Sequence, residues 1–125
     1  ATPACSLDFN GDGAVNTTDA LIFNRWLFGF RGDSLVAGIT PFPVGTIPSV
    51  FATAVTGRMA ITPTHDFDQD TFVNAETDGL IFLRMTQTLK GTSVTSNALG
   101  VGAQRNTYEL IRTHINTNCG TSFAP

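Results

Sequence analysis

The sequence predicts a mostly α-helical fold in which one loop-and-helix unit is used twice, giving about four helices joined by long loops. Two observations carry this. First, an acidic segment recurs: Asp8-Phe9-Asn10-Gly11-Asp12 aligns with Asp66-Phe67-Asp68-Gln69-Asp70, 58 positions on. Second, each copy runs into a stretch whose apolar residues keep helical spacing.

The match continues through Val15-Asn16 and Val73-Asn74, then slips by one position, so that Asp19 meets Asp78. In the new alignment Leu21-Ile22-Phe23 meets Leu80-Ile81-Phe82, Arg25 meets Arg84, Gly32 meets Gly91 and Ser34 meets Ser93. The first helix is expected over residues 18–28. Thr17, Thr18 or Asp19 is its N-cap, and Ile22, Phe23, Trp26, Leu27 and Phe30 form its apolar stripe. A Pro-rich surface loop follows over 39–48. The next helix is expected over 49–59, although its Val, Thr and Ala also suit extended structure. The third is expected over 78–89 with Leu80, Ile81, Leu83, Met85 and Leu89, and the fourth over 106–116 with Tyr108, Leu110, Ile111 and Ile115. Residues 1–125 read as one domain, with units at about 6–60 and 64–118.

The chain is 42% hydrophobic, enough for a core, yet no apolar run approaches the roughly 20 residues that span a bilayer. No charged start followed by an apolar run is present, so no signal peptide is expected within it. The net charge of −3 says less than its placement. Of eight aspartates, Asp8, Asp12 and Asp19 form one group and Asp66, Asp68, Asp70 and Asp78 another; Asp33 stands apart. Grouped carboxylates repel, and a fold tolerates this mainly around a cation. The seven basic residues are scattered, which argues against a nucleic-acid partner.

Cys5 and Cys119 lie near the two ends. With no C-x-x-C and no nearby His, zinc is a poor reading. An end-to-end disulfide is the better one and implies an oxidising, extracellular setting. By chain entropy such a long loop contributes about 4–5 kcal/mol as an upper figure. The competing reading is two buried thiols in a cytosolic protein.

Ca²⁺ takes six to eight oxygens, and a loop of about twelve residues supplies them from positions 1, 3, 5, 7, 9 and 12, with Gly at the sharp turn. The first loop fits throughout. Asp8, Asn10 and Asp12 hold the first three positions, Gly13 the turn, Ala14 its carbonyl, Asn16 the ninth position directly or through a water, and Asp19 the last. The second loop offers Asp66, Asp68, Asp70, the Phe72 carbonyl, Asn74 and Asp78. There Thr71 stands where Gly is preferred, and the extra residue leaves Glu76 competing with Asp78 for the closing place. Two calcium sites are expected.

The run Asp8-Phe9-Asn10-Gly11-Asp12-Gly13-Ala14-Val15-Asn16-Thr17-Thr18-Asp19, followed by Ala20-Leu21-Ile22-Phe23-Asn24-Arg25, resembles type I dockerin repeats, as do residues 65–91. The resemblance implies two calcium loops, each followed by a helix without an incoming one, pseudo-two-fold symmetry, and neighbouring termini that a Cys5–Cys119 clasp would suit. It implies a cohesin-type protein partner, met through Thr17, Thr18, Asn24 and Arg25 in one copy and Ala75, Glu76, Leu83 and Arg84 in the other. The chain departs from the family in length and in the thirty or so residues between its repeats. The segment Asn74-Ala75-Glu76-Thr77-Asp78-Gly79-Leu80 is similar to repeats at the C-terminal ends of large secreted bacterial proteins.

The expected function is therefore a calcium-binding attachment module of a secreted protein, monomeric and not an enzyme. A purely structural calcium-folded domain is the alternative. Only two His and two Glu are present, and they form no nucleophile–base constellation. Arg31-Gly32-Asp33 spells an integrin-recognition tripeptide, but a turn at a helix end explains Gly32 better.

Overall fold

The computed structural model describes residues 5–125. Six α-helices and no strand are found among them. Helices α1 (Thr17–Leu27), α3 (Pro48–Arg58), α4 (Leu80–Thr86) and α6 (Tyr108–Cys119) are the four substantial ones. Single-turn helices α2 (Asp33–Val36) and α5 (Thr92–Thr95) follow α1 and α4. The first helix lies within one residue of its expected place. The region where extended structure competed is helical: Pro48 opens α3 at a position where its missing N–H costs nothing, and Phe51, Ala52 and Val55 give it a buried face. The third helix is shorter than expected. Residues Ala75–Gly79 form a π-helical turn before α4 begins.

Capping fixes the helix starts. The Asn16 side chain accepts the Thr18 N–H, and Asp19 reaches back to the Asn16 N–H, a reciprocal box that begins α1. Thr107 caps α6, which ends at Gly120 in a left-handed conformation.

The core is centred on Phe9, Phe23, Phe67 and Phe82, all fully buried. Phe9 stacks on Phe23 at 5.6 Å, Phe82 meets Phe23 edge-on at 5.7 Å, and Phe67 lies 6.3 Å from Phe82. Each acidic loop thus sends its second residue, Phe9 or Phe67, into the centre. Burying each ring is worth about 2–3 kcal/mol, so the loops are anchored from below whatever occupies them. His65 packs against Phe9, Phe23 and Phe67 and accepts the Thr62 N–H at Nδ1. α1 packs on α4 through this cluster, and the Asn24 amide bridges them by donating to Ala20 O and Gly79 O.

Cys5 and Cys119 form a disulfide, supported by Cys5 N–H donating to Asn118 O at 3.0 Å. This bond belongs to an oxidising environment. No helix among the described residues is long and apolar enough to cross a membrane.

Candidate metal centres

In each acidic loop the aspartates first organise backbone and only then face one another. Asp8 accepts the N–H groups of Gly11 (3.1 Å) and Gly13 (2.9 Å); Asp66 accepts those of Asp70 (3.2 Å) and Thr71 (2.9 Å). Asp12 accepts from Ala14 and Asp70 from Phe72, both at 3.0 Å. The closing carboxylates match as well. Asp19 accepts from Phe9 (2.8 Å) and Asn16 (2.9 Å), while Asp78 accepts from Phe67 (2.6 Å) and Asn74 (3.0 Å).

Asp78, and not Glu76, joins the carboxylate group of the second loop. The extra residue is absorbed by the π-helical turn, which widens the helix start by one position and returns Asp78 to the N–H groups that correspond to those Asp19 holds. Glu76 points to solvent.

Two groups of carboxylates result. Asp66, Asp68, Asp70 and Asp78 are all buried and place one oxygen each within 4.8 Å of the others. Asp8, Asp12 and Asp19 do the same, but only Asp19 is buried and Asp12 is exposed. Two unit charges at that separation repel by about 3–4 kcal/mol in an effective dielectric near 20, so four ionised carboxylates cannot share the second site unaided. Burial pushes Asp78 up to about 7, and nearby Asp68 and Asp66 add to the rise. Burial likewise raises Asp68 to about 6, with Asp66 and Asp70 contributing. Asp19 is raised to about 6, again chiefly by burial. Asp68 Oδ1 is buried without any hydrogen-bond partner among the described residues. A cation among these oxygens would satisfy it and relieve the repulsion, so the residues fit a metal ion.

Other expected ligands are placed differently. Asn10 is buried in the first loop, where its amide donates to Asp12 Oδ2. The Asn16 and Asn74 oxygens serve as helix caps, accepting from Thr18 and Thr77. Ala14 and Phe72 are exposed and carry no ligating side-chain atom, so only their backbone carbonyls could serve an ion.

The residues expected to meet a partner divide. Thr17 and Glu76 are exposed, and Thr18 and Leu83 half-buried. Ala75 is buried. The donors of Asn24 are spent on Ala20 and Gly79. Arg25 donates to the carbonyls of Leu35 and Ala37, and Arg84 to those of Val94 and Ser96, so both arginines cap the short helices that follow.

Two further arginines escaped the sequence reading. Arg58, at the end of α3, reaches Phe9 O at 3.4 Å and lies over Gly11, where any Cβ would strike its guanidinium. Arg105 donates to Asp66 O (2.9 Å) and Phe67 O (3.0 Å). Their separations from the loops differ, so the repeat pattern carries no signal for them. Only the presence of a lone base in an uncharged stretch hints at either.

Compared with family models, curated proteins and solved structures, the chain matches none.

Proposed function

We propose that the chain is a calcium-folded, dockerin-like module of a secreted protein, holding one Ca²⁺ in each acidic loop and serving attachment to a cohesin-type protein partner. The observation that carries the calcium reading is the pair of oxygen-only clusters, each built from loop aspartates and one helix-start aspartate on corresponding backbone N–H groups. Hard oxygen donors in a loop of this spacing select Ca²⁺, which tolerates irregular, carboxylate-rich coordination. Asp8, Asn10, Asp12, the Ala14 carbonyl and Asp19 would hold the first ion; Asp66, Asp68, Asp70, the Phe72 carbonyl and Asp78 the second. The ion's part is to neutralise carboxylates that burial has stripped of water. Pseudo-two-fold symmetry of the units is supported by the paired arginine caps, Arg25 with Arg84, each reaching carbonyls ten and twelve residues on.

A second reading, a structural calcium domain without a partner of its own, is favoured by a specific observation: Asn24, Arg25 and Arg84 are engaged internally. Thr17, Thr18, Glu76 and Leu83 then remain as the accessible partner set.

Calorimetric titration of Ca²⁺ into chelator-stripped protein tests the first part, with two equivalents bound expected. Loss of each ion should lower the melting temperature by roughly 10–20 °C, since ligand at about 1,000 times its Kd contributes about 4 kcal/mol per site. No heat and an unchanged melt would sink the calcium reading. Capture by cohesin-type domains with calcium but not with chelator separates attachment from the structural reading.

A further inference from the structure

The two loops differ in what lies across them. Residues 98–105, between α5 and α6, run over the outer side of the second. Gly100 N–H donates to Asp68 Oδ2 at 2.7 Å, so the strap touches a candidate ligand directly. Arg105 N–H donates to Asp68 O at 3.0 Å, and Gln104 N–H to Gln69 O at 3.2 Å. The Arg105 guanidinium adds the bonds to Asp66 O and Phe67 O and a third to Gln69 Oε1 at 3.3 Å. Gly100 sits so close that a Cβ there would collide with the Asp70 carboxylate.

Among the described residues no segment is hydrogen-bonded across the first loop in this way; residues 38–44 only line an open cavity beside Asn10 and Asp12. The one long-range hydrogen bond that a side chain gives the first loop among the described residues is that of Arg58, and Asp8 and Asp12 reach solvent. In the second loop all four carboxylates are buried, and Asp68, with no solvent exposure, keeps Oδ1 free of any partner within the described residues. A free, fully buried carboxylate oxygen beneath a hydrogen-bonded cover marks a place for an ion without its water.

We infer that residues 98–105 are a strap that seals the second metal site, with Arg105 as its positioning residue, so that the second ion is held dehydrated and exchanges slowly while the first exchanges freely. The inference rests on the calcium reading above. An ion leaves the second loop only when the Gly100 and Arg105 contacts open, a local unfolding step that the first loop does not need. Sealing also sets the choice of ion. Mg²⁺ gives up its water reluctantly, so it should compete at the first loop and be refused at the second.

The test is stopped-flow mixing of the calcium-loaded full chain with a fluorescent chelator. Two phases of equal amplitude are expected, the slower on the order of 100-fold slower because several strap hydrogen bonds must break. Asp19→Asn should remove the fast phase and Asp78→Asn the slow one, which assigns them. Arg105→Gln should speed the slow phase about 10-fold and leave the fast phase alone, as expected for loss of charge-assisted hydrogen bonds. Hydrogen exchange on the metal-free chain gives a second readout: the Gly100 and Arg105 amides should be protected in the wild type and lose protection in Arg105→Gln. Two equivalents released in one phase, or a slow phase that disappears with Asp19→Asn, overturns the strap and leaves the calcium reading standing. If no calcium is released because none was bound, both fall. If Arg105→Gln does not fold, the assigned phases of the wild type still decide.

Discussion

At Gly11 and Gly13 the first loop takes φ values of 75° and 87°; at Gln69 and Thr71 the second takes 55° and 80°. The backbone path is therefore shared, but it is held in different ways. Glycine adopts this left-handed region at little cost. For Gln and especially β-branched Thr it costs on the order of 1–2 kcal/mol per residue. The second loop offsets that cost through tertiary contacts, since the Arg105 guanidinium and Gln104 N–H both hold Gln69. It also carries four buried carboxylates where the first has three, two of them solvated or partly so. One loop is shaped by its own residues and the other by the rest of the fold.

The two loops should differ most at their closing carboxylates. Asp78→Ala should abolish binding at the second loop, leaving one equivalent by calorimetry, and cost about 3–5 kcal/mol in calcium. It strands the Phe67 and Asn74 N–H groups and leaves three buried carboxylates facing each other without an ion. Asp19→Ala should also remove one equivalent, but cost only about 2–3 kcal/mol, because Asp8 and Asp12 can be hydrated. Glu76→Ala should change neither stoichiometry nor melting by more than about 0.5 kcal/mol. Equal losses at residues 19 and 78 would show that burial does not separate the two sites.

Sequence reading reached the carboxylate group of the first loop, because its information is local: Asp8, Asp12 and Asp19 at fixed spacing, with Gly13 where the turn needs it. It also reached the pairing of Cys5 with Cys119 and the existence of four main helices. It left Asp78 and Glu76 unresolved, since nothing local says whether a helix start will absorb an extra residue as a π turn. The capping roles of Asn16 and Asn74 were hidden for another reason: a side-chain oxygen beside a helix start and beside an ion site suits both tasks. Arg25 and Arg84 look like free surface charges until the short helices α2 and α5 bring carbonyls under them. The strap over residues 66–70 is a contact across more than thirty residues, and a repeat alignment has no means of showing it.

The pH dependence should separate the metal-free from the loaded protein by sign. Asp78, Asp19 and Asp68 are raised from 3.8 to about 7, 6 and 6. Without metal the folded state therefore holds more protons than the unfolded one between about pH 4 and 7, and stability falls as pH rises through that window. His65 and His114 are both held below 6.5, chiefly by burial, and oppose this from about pH 7.5 downwards, as the unfolded imidazoles take up protons. The carboxylates dominate between about pH 8 and 6.5. In excess chelator the melting temperature should rise by roughly 1–4 °C on going down that interval. With calcium it should stay level or fall, because protons compete with the ion for the same oxygens. A fall in chelator would mean that the buried carboxylates are not held in their raised state.

The smallest effect addresses the backbone difference itself. Thr71→Gly keeps the N–H that Asp66 accepts and removes the β-branched side chain from a left-handed position. Relief of about 1–2 kcal/mol is partly cancelled by the added freedom of glycine in the unfolded chain, about 0.4–1 kcal/mol, so a net gain of about 1 kcal/mol is expected. Gly13→Thr is the reciprocal change. Among the described residues no atom obstructs a Cβ there, so the loss reports the φ of 87° less the reduced freedom of the unfolded chain and should be about 1 kcal/mol. Gln69→Gly should gain less than Thr71→Gly, because it also deletes the oxygen that Arg105 holds. Denaturant unfolding of the three variants in chelator decides the matter. If Thr71→Gly is neutral while Gln69→Gly is clearly stabilising, the strain sits at the residue the strap supports, and the strap would be correcting it rather than sealing the site.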